Sequence, residues 1–297
     1  MFRQVLIFGL ILFCTGCRET ATILMDGEVC RSANLVSAET LAIRTTPEWA
    51  LSDVTIISDK HDTVRGRVRR PLNRNFMYPA AFLVVGIETG REVVDMIAGY
   101  DSVIVFGIDY PYSGTLDFSG WKGLTTVLAL RSVGFRSVDH IGVSLDWLSS
   151  LPEIDTNNIS VITVSFGVFA GVPAAVMDTR VDRLVVVQAG GGLETILAAN
   201  AERLHASVPP WIAGFLGGRI LAPFEPNNYI GRFSPRPVLL VSGESDRLFP
   251  SSSIQSLFDH AREPKEWIRH RSGHVDPSME KLIGELALIV GNKLYPH

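Results

Sequence analysis

Uninterrupted apolar runs, rather than alternating ones, dominate the chain from residue 80 onward. They are AAFLVVG (80–86), SVIVFGID (102–109), ISVITV (159–164), RLVVVQAG (183–190) and RPVLLVSG (236–243). A strand buried on both faces needs such a run, and a parallel sheet covered by helices buries its strands in that way. Upstream, VTIIS and TVRGRVRR flank the turn DKHD and predict an antiparallel hairpin. A short last run, EWIRH (266–270), precedes the helical stretch PSMEKLIGELALIVGNKL. Counted in order these make eight strands. Between the fourth and fifth lies a long helical segment, 124–151, with Ile141, Leu145 and Leu148 on one face and Asp146 opposite. The pattern predicts an α/β chain: a mostly parallel eight-stranded sheet with helices on both faces.

Residues 192–232 break this rhythm with LETILAANAERLHASVPPWIAGFLGGRIL. The stretch is too short for its own core, so it is expected to form a small helical cap over the sheet's edge. Its aromatics Trp211 and Phe215 are expected chiefly to close that cap onto the core, with lining an acyl pocket or touching the membrane as the other two readings. Residues 17–50 show no clean periodicity and are expected to form a tether with one short helix around 33–43. The domain proper is then 51–297.

The N-terminus is a different kind of segment. MFRQVLIFGLILFCTGC has one basic residue, Arg3, then an apolar run from Val5 to Cys14, then Thr15, Gly16 and Cys17. That run is short for a bilayer span and has the proportions of a signal peptide. Its ending resembles a bacterial lipoprotein signal, in which cleavage before the cysteine leaves it to carry lipid. The resemblance implies a signal peptide over 1–16, lipidation of Cys17 and a membrane-anchored protein of the cell envelope. Cys14 departs from the pattern, where an aliphatic residue is usual. A plain secretory signal and a short N-terminal anchor are the other two readings, and all three place the domain outside the cytoplasm.

With 46% hydrophobic and 20% charged residues in 297, the chain can fill a core, which excludes general disorder. The net charge is -4, and the one basic cluster, RGRVRR, alternates with Gly66 and Val68 as a half-solvated strand would. No nucleic-acid partner is expected. With Cys17 acylated and Cys14 removed, Cys30 stands alone, outside any Cys/His cluster, so neither an intramolecular disulfide nor a metal site is expected.

Chemistry-bearing residues fall at the ends of three of these runs. Ser165 follows the fifth in TVSFGVFAG, close to the G-x-S-x-G elbow, with Gly167 in place and Thr163 where the first glycine belongs. Asp246 follows the seventh in GESDRLFP, and His274 follows the eighth in RSGHVDP. In an open parallel sheet the carboxyl-end loops converge on one crevice. Singly, each residue has an ordinary reading: a strand-end serine as a turn or cap, Asp246 as a turn former beside a rival acid in Glu244, and His274 as one of seven histidines with His260 and His270. GVSLDW at 142–147 shows how cheap a lone G-x-S is, since it lies within the long helical segment. The joint order Ser, Asp, His at three strand ends is what points to a site.

On TVSFGVFAG, PVLLVSGESDRLFP and SGHVDP the chain resembles the α/β-hydrolases, nearest the dienelactone-hydrolase-like and serine-esterase branches, over about residues 50 to 295. Where the dienelactone branch has a cysteine nucleophile, this chain has Ser165, which moves the reading toward an esterase. The resemblance implies a serine hydrolase acting on a small-molecule ester or thioester, with Ser165 as nucleophile, His274 as base and Asp246 as its orienting acid. It implies an oxyanion hole from the backbone amides of Phe166 and Ile87, although Val85-Gly86 stands where many relatives have His-Gly. No metal or organic cofactor is expected. An aminopeptidase-like amide hydrolase and a catalytically silent member used for binding in the envelope are the alternatives.

Overall fold

The structure, a computed structural model, describes residues 29–72 and 77–295. The signal segment 1–16 and Cys17 lie outside the described residues. Among the described residues nine strands form one sheet: β1 (Leu35–Thr45), β2 (Trp49–Ser58), β3 (Thr63–Pro71), β4 (Tyr78–Val84), β5 (Ile104–Ile108), β6 (Ile154–Val164), β7 (Arg183–Val187), β8 (Val238–Gly243) and β9 (Lys265–His270). Their spatial order is β1-β2-β3-β5-β4-β6-β7-β8-β9. β1, β2 and β3 run antiparallel, β3 meets β5 antiparallel, and all pairs from β5 to β9 are parallel.

The ninth strand corrects the expected count of eight. β1 forms where a tether with a short helix was expected, and the expected boundary at residue 51 falls inside β2. The reason is physical. β1 pairs only with β2 and is exposed along nearly its whole length, so no buried face imprints an alternation on its sequence.

The helices are α1 (Val93–Met96), α2 (Gly120–Ser150), α3 (Val168–Met177), α4 (Leu193–Asn200), α5 (Pro210–Ile220), α6 (Ser251–His260) and α7 (Glu280–Leu294). They divide the buried apolar residues into two cores, one on each sheet face. The larger packs α2, α3 and α6 against one face through residues such as Phe82, Phe106, Ile141 and Leu148. On the other face Leu83, Val105 and Ile162 meet Tyr100 and α7, where Leu286, Ala287, Val290 and Leu294 recur at helical spacing. The crossover from β4 to β5 contributes only a 3₁₀ turn and the one-turn α1 to that second face, so α7 covers much of it alone.

The expected cap holds α4, α5 and three 3₁₀ turns between β7 and β8. The Glu225 carboxylate fixes its start, accepting from the amides of Gly192 (2.8 Å) and Leu193 (2.6 Å) at the N-terminus of α4. Trp211 and Phe215 do not close it onto the core. Trp211 is 70% exposed and Phe215 46%, because α5 turns its three glycines, Gly214, Gly217 and Gly218, inward against α4.

Candidate active site

β6 delivers Ser165 at its carboxyl end, and the chain turns at once into α3. The turn is made at Ser165 itself, whose φ of +53° lies in the left-handed region that costs a non-glycine residue about 1–2 kcal/mol. Two glycines make the turn fit. A Cβ on Gly167 would stand 1.9 Å from the carbonyl oxygen of Val84 in β4, so only glycine lets α3 start this close to the sheet. Thr163, standing where the elbow's first glycine belongs, is fully buried and its hydroxyl donates to the Val185 carbonyl at 3.1 Å. Its methyl lies where a side chain at Gly171 would have to be, 2.4 Å from a Cβ built there. Room for the threonine thus comes from a glycine one turn into the helix.

The three expected residues converge. Ser165 Oγ and His274 Nε2 are 2.8 Å apart, and His274 Nδ1 lies 2.8 Å from Asp246 Oδ2. Asp246 is nearly sealed, with its side chain 1% exposed, and its other oxygen accepts from the amides of Leu248 (2.8 Å) and Phe249 (3.0 Å). The two amides fix the aim of the carboxylate. Phe249 also stacks on the His274 ring, with centroids 5.8 Å apart. The alternatives fall elsewhere: Glu244 does not bond His274, His260 bonds the Ser256 carbonyl, and His270 lies 3.5 Å from Glu285. Ser144 of GVSLDW is buried inside α2.

Phe166 and Ile87 both line the space in front of Ser165, and neither backbone amide has an acceptor among the described residues. Ile87 follows β4, the strand whose Val84 touches Gly167, so one close packing contact brings the two amides into the same neighbourhood. Asp109 steadies this loop by accepting from the Arg91 amide at 2.9 Å.

Gln188 was not singled out from the sequence. It follows β7 directly, at a φ of +47°, and is fully buried. Its Nε2 donates to Gly273 O (3.0 Å) and Ser272 Oγ (3.1 Å), while its Oε1 accepts from the amide of Val275. One side chain therefore grips the backbone on both sides of His274. The available hint was a lone amide side chain closing an otherwise apolar run, RLVVVQAG.

A cavity of about 480 Å³ opens at Ser165 and His274 and reaches both faces of the sheet. One lobe runs under the cap, against Leu193, Ile196 and Phe224. The other passes between the sheet and α7, lined by Ala81, Val105, Tyr100, Ala287 and Val290. This second lobe exists because α1 is a single turn and because Ala81 and Ala287 are small. Tyr100, the polar group deep within it, already donates to the Ala287 carbonyl at 2.9 Å. Among the described residues no cluster of three or more His, Cys, Asp or Glu is placed to hold a metal ion.

Residues 188–286, one third of the chain, match the model of the family described as Serine hydrolase (FSH1). That third spans Gln188, the cap, Asp246 and His274. None of the curated proteins compared with the chain matches it. Among solved structures, an acetyl xylan esterase from Paenibacillus sp. R4 superposes with a TM-score of 0.62 at 18% identity, covering 91% of this chain and 92% of that one. Acetyl xylan esterase 1 from Thermoanaerobacterium sp. JW/SL YS485 gives 0.64 at 15%, over 87% and 88%. A cold-adapted esterase from an Arctic intertidal metagenomic library gives 0.55 at 14%, over 87% and 99%. Strand order, elbow and these superpositions agree: the chain has the α/β-hydrolase fold.

Proposed function

We propose that this chain is a serine hydrolase that cleaves carboxylic esters or thioesters through an acyl-enzyme on Ser165. The observation that carries the reading is the unbroken chain of contacts from Ser165 Oγ through His274 to Asp246, each 2.8 Å long. The partial match to a serine hydrolase family and the likeness to solved esterases support it.

A serine hydroxyl is a weak nucleophile until a base takes its proton. With Nδ1–H donating to Asp246, the free Nε2 of His274 accepts the Ser165 proton as Oγ attacks the acyl carbon. Asp246 stabilises the imidazolium that forms. The negative oxygen of the tetrahedral intermediate falls to the amides of Phe166 and Ile87, where one such donor is worth about 10²–10³ in rate. His274 then protonates the departing alcohol or thiol. Water, deprotonated by the same nitrogen, releases the acid and restores the hydroxyl. The apolar lobe toward α7 suits an unbranched hydrocarbon portion of the substrate.

The test is labelling by a fluorophosphonate probe. Wild-type protein should be labelled and Ser165→Ala should not; folded wild-type protein that stays unlabelled would overturn the reading. The anchoring through Cys17 is part of the same proposal and rests on the sequence pattern. Palmitate incorporation should be lost in Cys17→Ser.

A further inference from the structure

We propose that the N-terminal turns of α2 and the whole of α5 form one apolar surface that docks on a lipid bilayer. On α2, Trp121, Leu124 and Leu128 are 86%, 45% and 45% exposed, at the 3-then-4 spacing of a single helix face. Around α5 the same spacing recurs in Val208, Trp211 and Phe215, with Leu216 beside them, all exposed.

Two hydrogen bonds set the register between these stripes. The Gly120 amide donates to Ser207 Oγ at 2.6 Å, and Arg131 Nη1 donates to the Ile220 carbonyl at 2.7 Å. The two segments therefore run side by side in the same direction, 120 beside 207 and 131 beside 220. That register puts Trp121 level with Val208, Leu124 level with Trp211, and Leu128 level with Phe215 along the two segments. The result is a two-helix apolar face about 12 Å long at 1.5 Å per residue. Soluble surfaces carry scattered apolar residues without consequence, but a contiguous patch of this kind marks a contact.

Three observations select a bilayer as the occupant. Trp121 and Trp211 stand outward, and tryptophan is the residue that settles at a membrane–water boundary. Charges beside the stripes are neutralised in place: Lys122 pairs with Asp117 at 2.9 Å and Arg219 with Glu194 at 3.4 Å, while Arg219 also covers the Phe215 ring. Such a face needs no anionic lipid. Leu116 is both exposed and part of the wall of the reactive cavity, so the patch continues to the mouth of the site. A substrate dissolved in a bilayer would reach Ser165 from that side.

Full-length protein on phosphatidylcholine vesicles with brominated acyl chains tests this directly. Bromine quenches tryptophan only at contact depth, and residues 1–28 contain no tryptophan. Any quenching therefore reports on the folded domain, even when the N-terminus itself holds the protein to the vesicle. Wild-type fluorescence should fall, and the fall should persist at high salt. In Trp121→Ser/Trp211→Ser, co-sedimenting to the same extent, the remaining Trp49, Trp147 and Trp267 should show no quenching. Hydrolysis of a water-soluble acetyl ester should be unchanged in that variant. Vesicle-bound wild type without quenching would overturn the proposal. So would a stable dimer that Leu128→Asp/Phe215→Asp dissociates, since a second copy would then be the occupant.

Discussion

The Thr163 methyl and the bare α-carbon of Gly171 occupy complementary positions across the β6–α3 contact, 2.4 Å being all that would separate Cγ2 from a Cβ at 171. The elbow's missing glycine is thereby displaced eight residues along the chain rather than lost. Gly171→Ala should destabilise by about 1–3 kcal/mol through overpacking. Thr163→Ser removes the offending methyl but keeps the hydroxyl that donates to Val185, at a cost of about 1 kcal/mol. Denaturant melts of the double variant should show less destabilisation than the two singles added together. Simple additivity would mean that the two positions are not coupled.

Strain at Ser165 separates two inactive variants. Both Ser165→Ala and Ser165→Gly remove the hydroxyl and should lower kcat by at least about 10⁴-fold. Only glycine relieves the positive φ, so Ser165→Gly should be the more stable by about 1 kcal/mol. Equal melting temperatures would count against a strained elbow.

Gln188 holds the backbone on both sides of His274, the arrangement expected of a positioning residue. Gln188→Ala frees the loop on both sides of the imidazole and should lower kcat by about 10²-fold with little change in KM. Gln188→Glu keeps the acceptor for Val275 but loses the donor to Gly273 O until its carboxyl is protonated. Its activity relative to wild type should therefore rise as pH falls. A flat ratio across the pH profile would reduce Gln188 to packing.

The α7 lobe should set a length preference. Along a series of p-nitrophenyl esters, kcat/KM should increase about fourfold per added methylene until the lobe is filled. Ala287→Phe narrows the lobe and should shift the optimum to shorter chains, leaving acetyl ester turnover intact. An unchanged chain-length profile would place the hydrocarbon in the lobe under the cap.

A pH-dependent brace lies away from the site. In the β2–β3 turn, Asp62 accepts from Arg136 (2.9 and 3.0 Å) and contacts His140 Nε2 at 2.9 Å. The Arg136 contact, and after it the His140 contact, hold the Asp62 carboxyl well below the usual carboxylate range. Its native value is thus lower than its unfolded value of about 3.9, and the stabilisation is present above that pH and lost as pH falls through the native value. The ion pair is partly exposed, so screening limits it to about 1 kcal/mol or less. Asp62→Asn should be less stable than wild type at pH 6, and the difference should shrink below about pH 4 in parallel denaturant titrations.

The parallel half of the sheet was legible because strands buried on both faces must be apolar throughout, and so announce themselves. β1 was not, since an edge strand exposed on both faces is under no such demand. Ser165, Asp246 and His274 were legible from type, order and position at strand ends. Gln188 was not, because its importance lies in reaching across 85 residues to backbone atoms, which leaves no local pattern. Which way Trp211 and Phe215 face was not legible for a related cause. Apolar residues at helical spacing look the same whether they face a core or a solvent boundary, and the inward-turned glycines of α5 decided which face was which.

The contact between Gly167 and the Val84 carbonyl has a kinetic implication. Phe166 and Ile87 belong to different crossovers, yet both line one cavity beside the point where strand and helix touch with no side chain between them. An oxyanion hole built there, as proposed, would need no segment to swing in after substrate arrives. Turnover should then need no reorganisation beyond the chemistry, and heat should abolish it only when β4 and α3 part, in the same transition that melts the sheet.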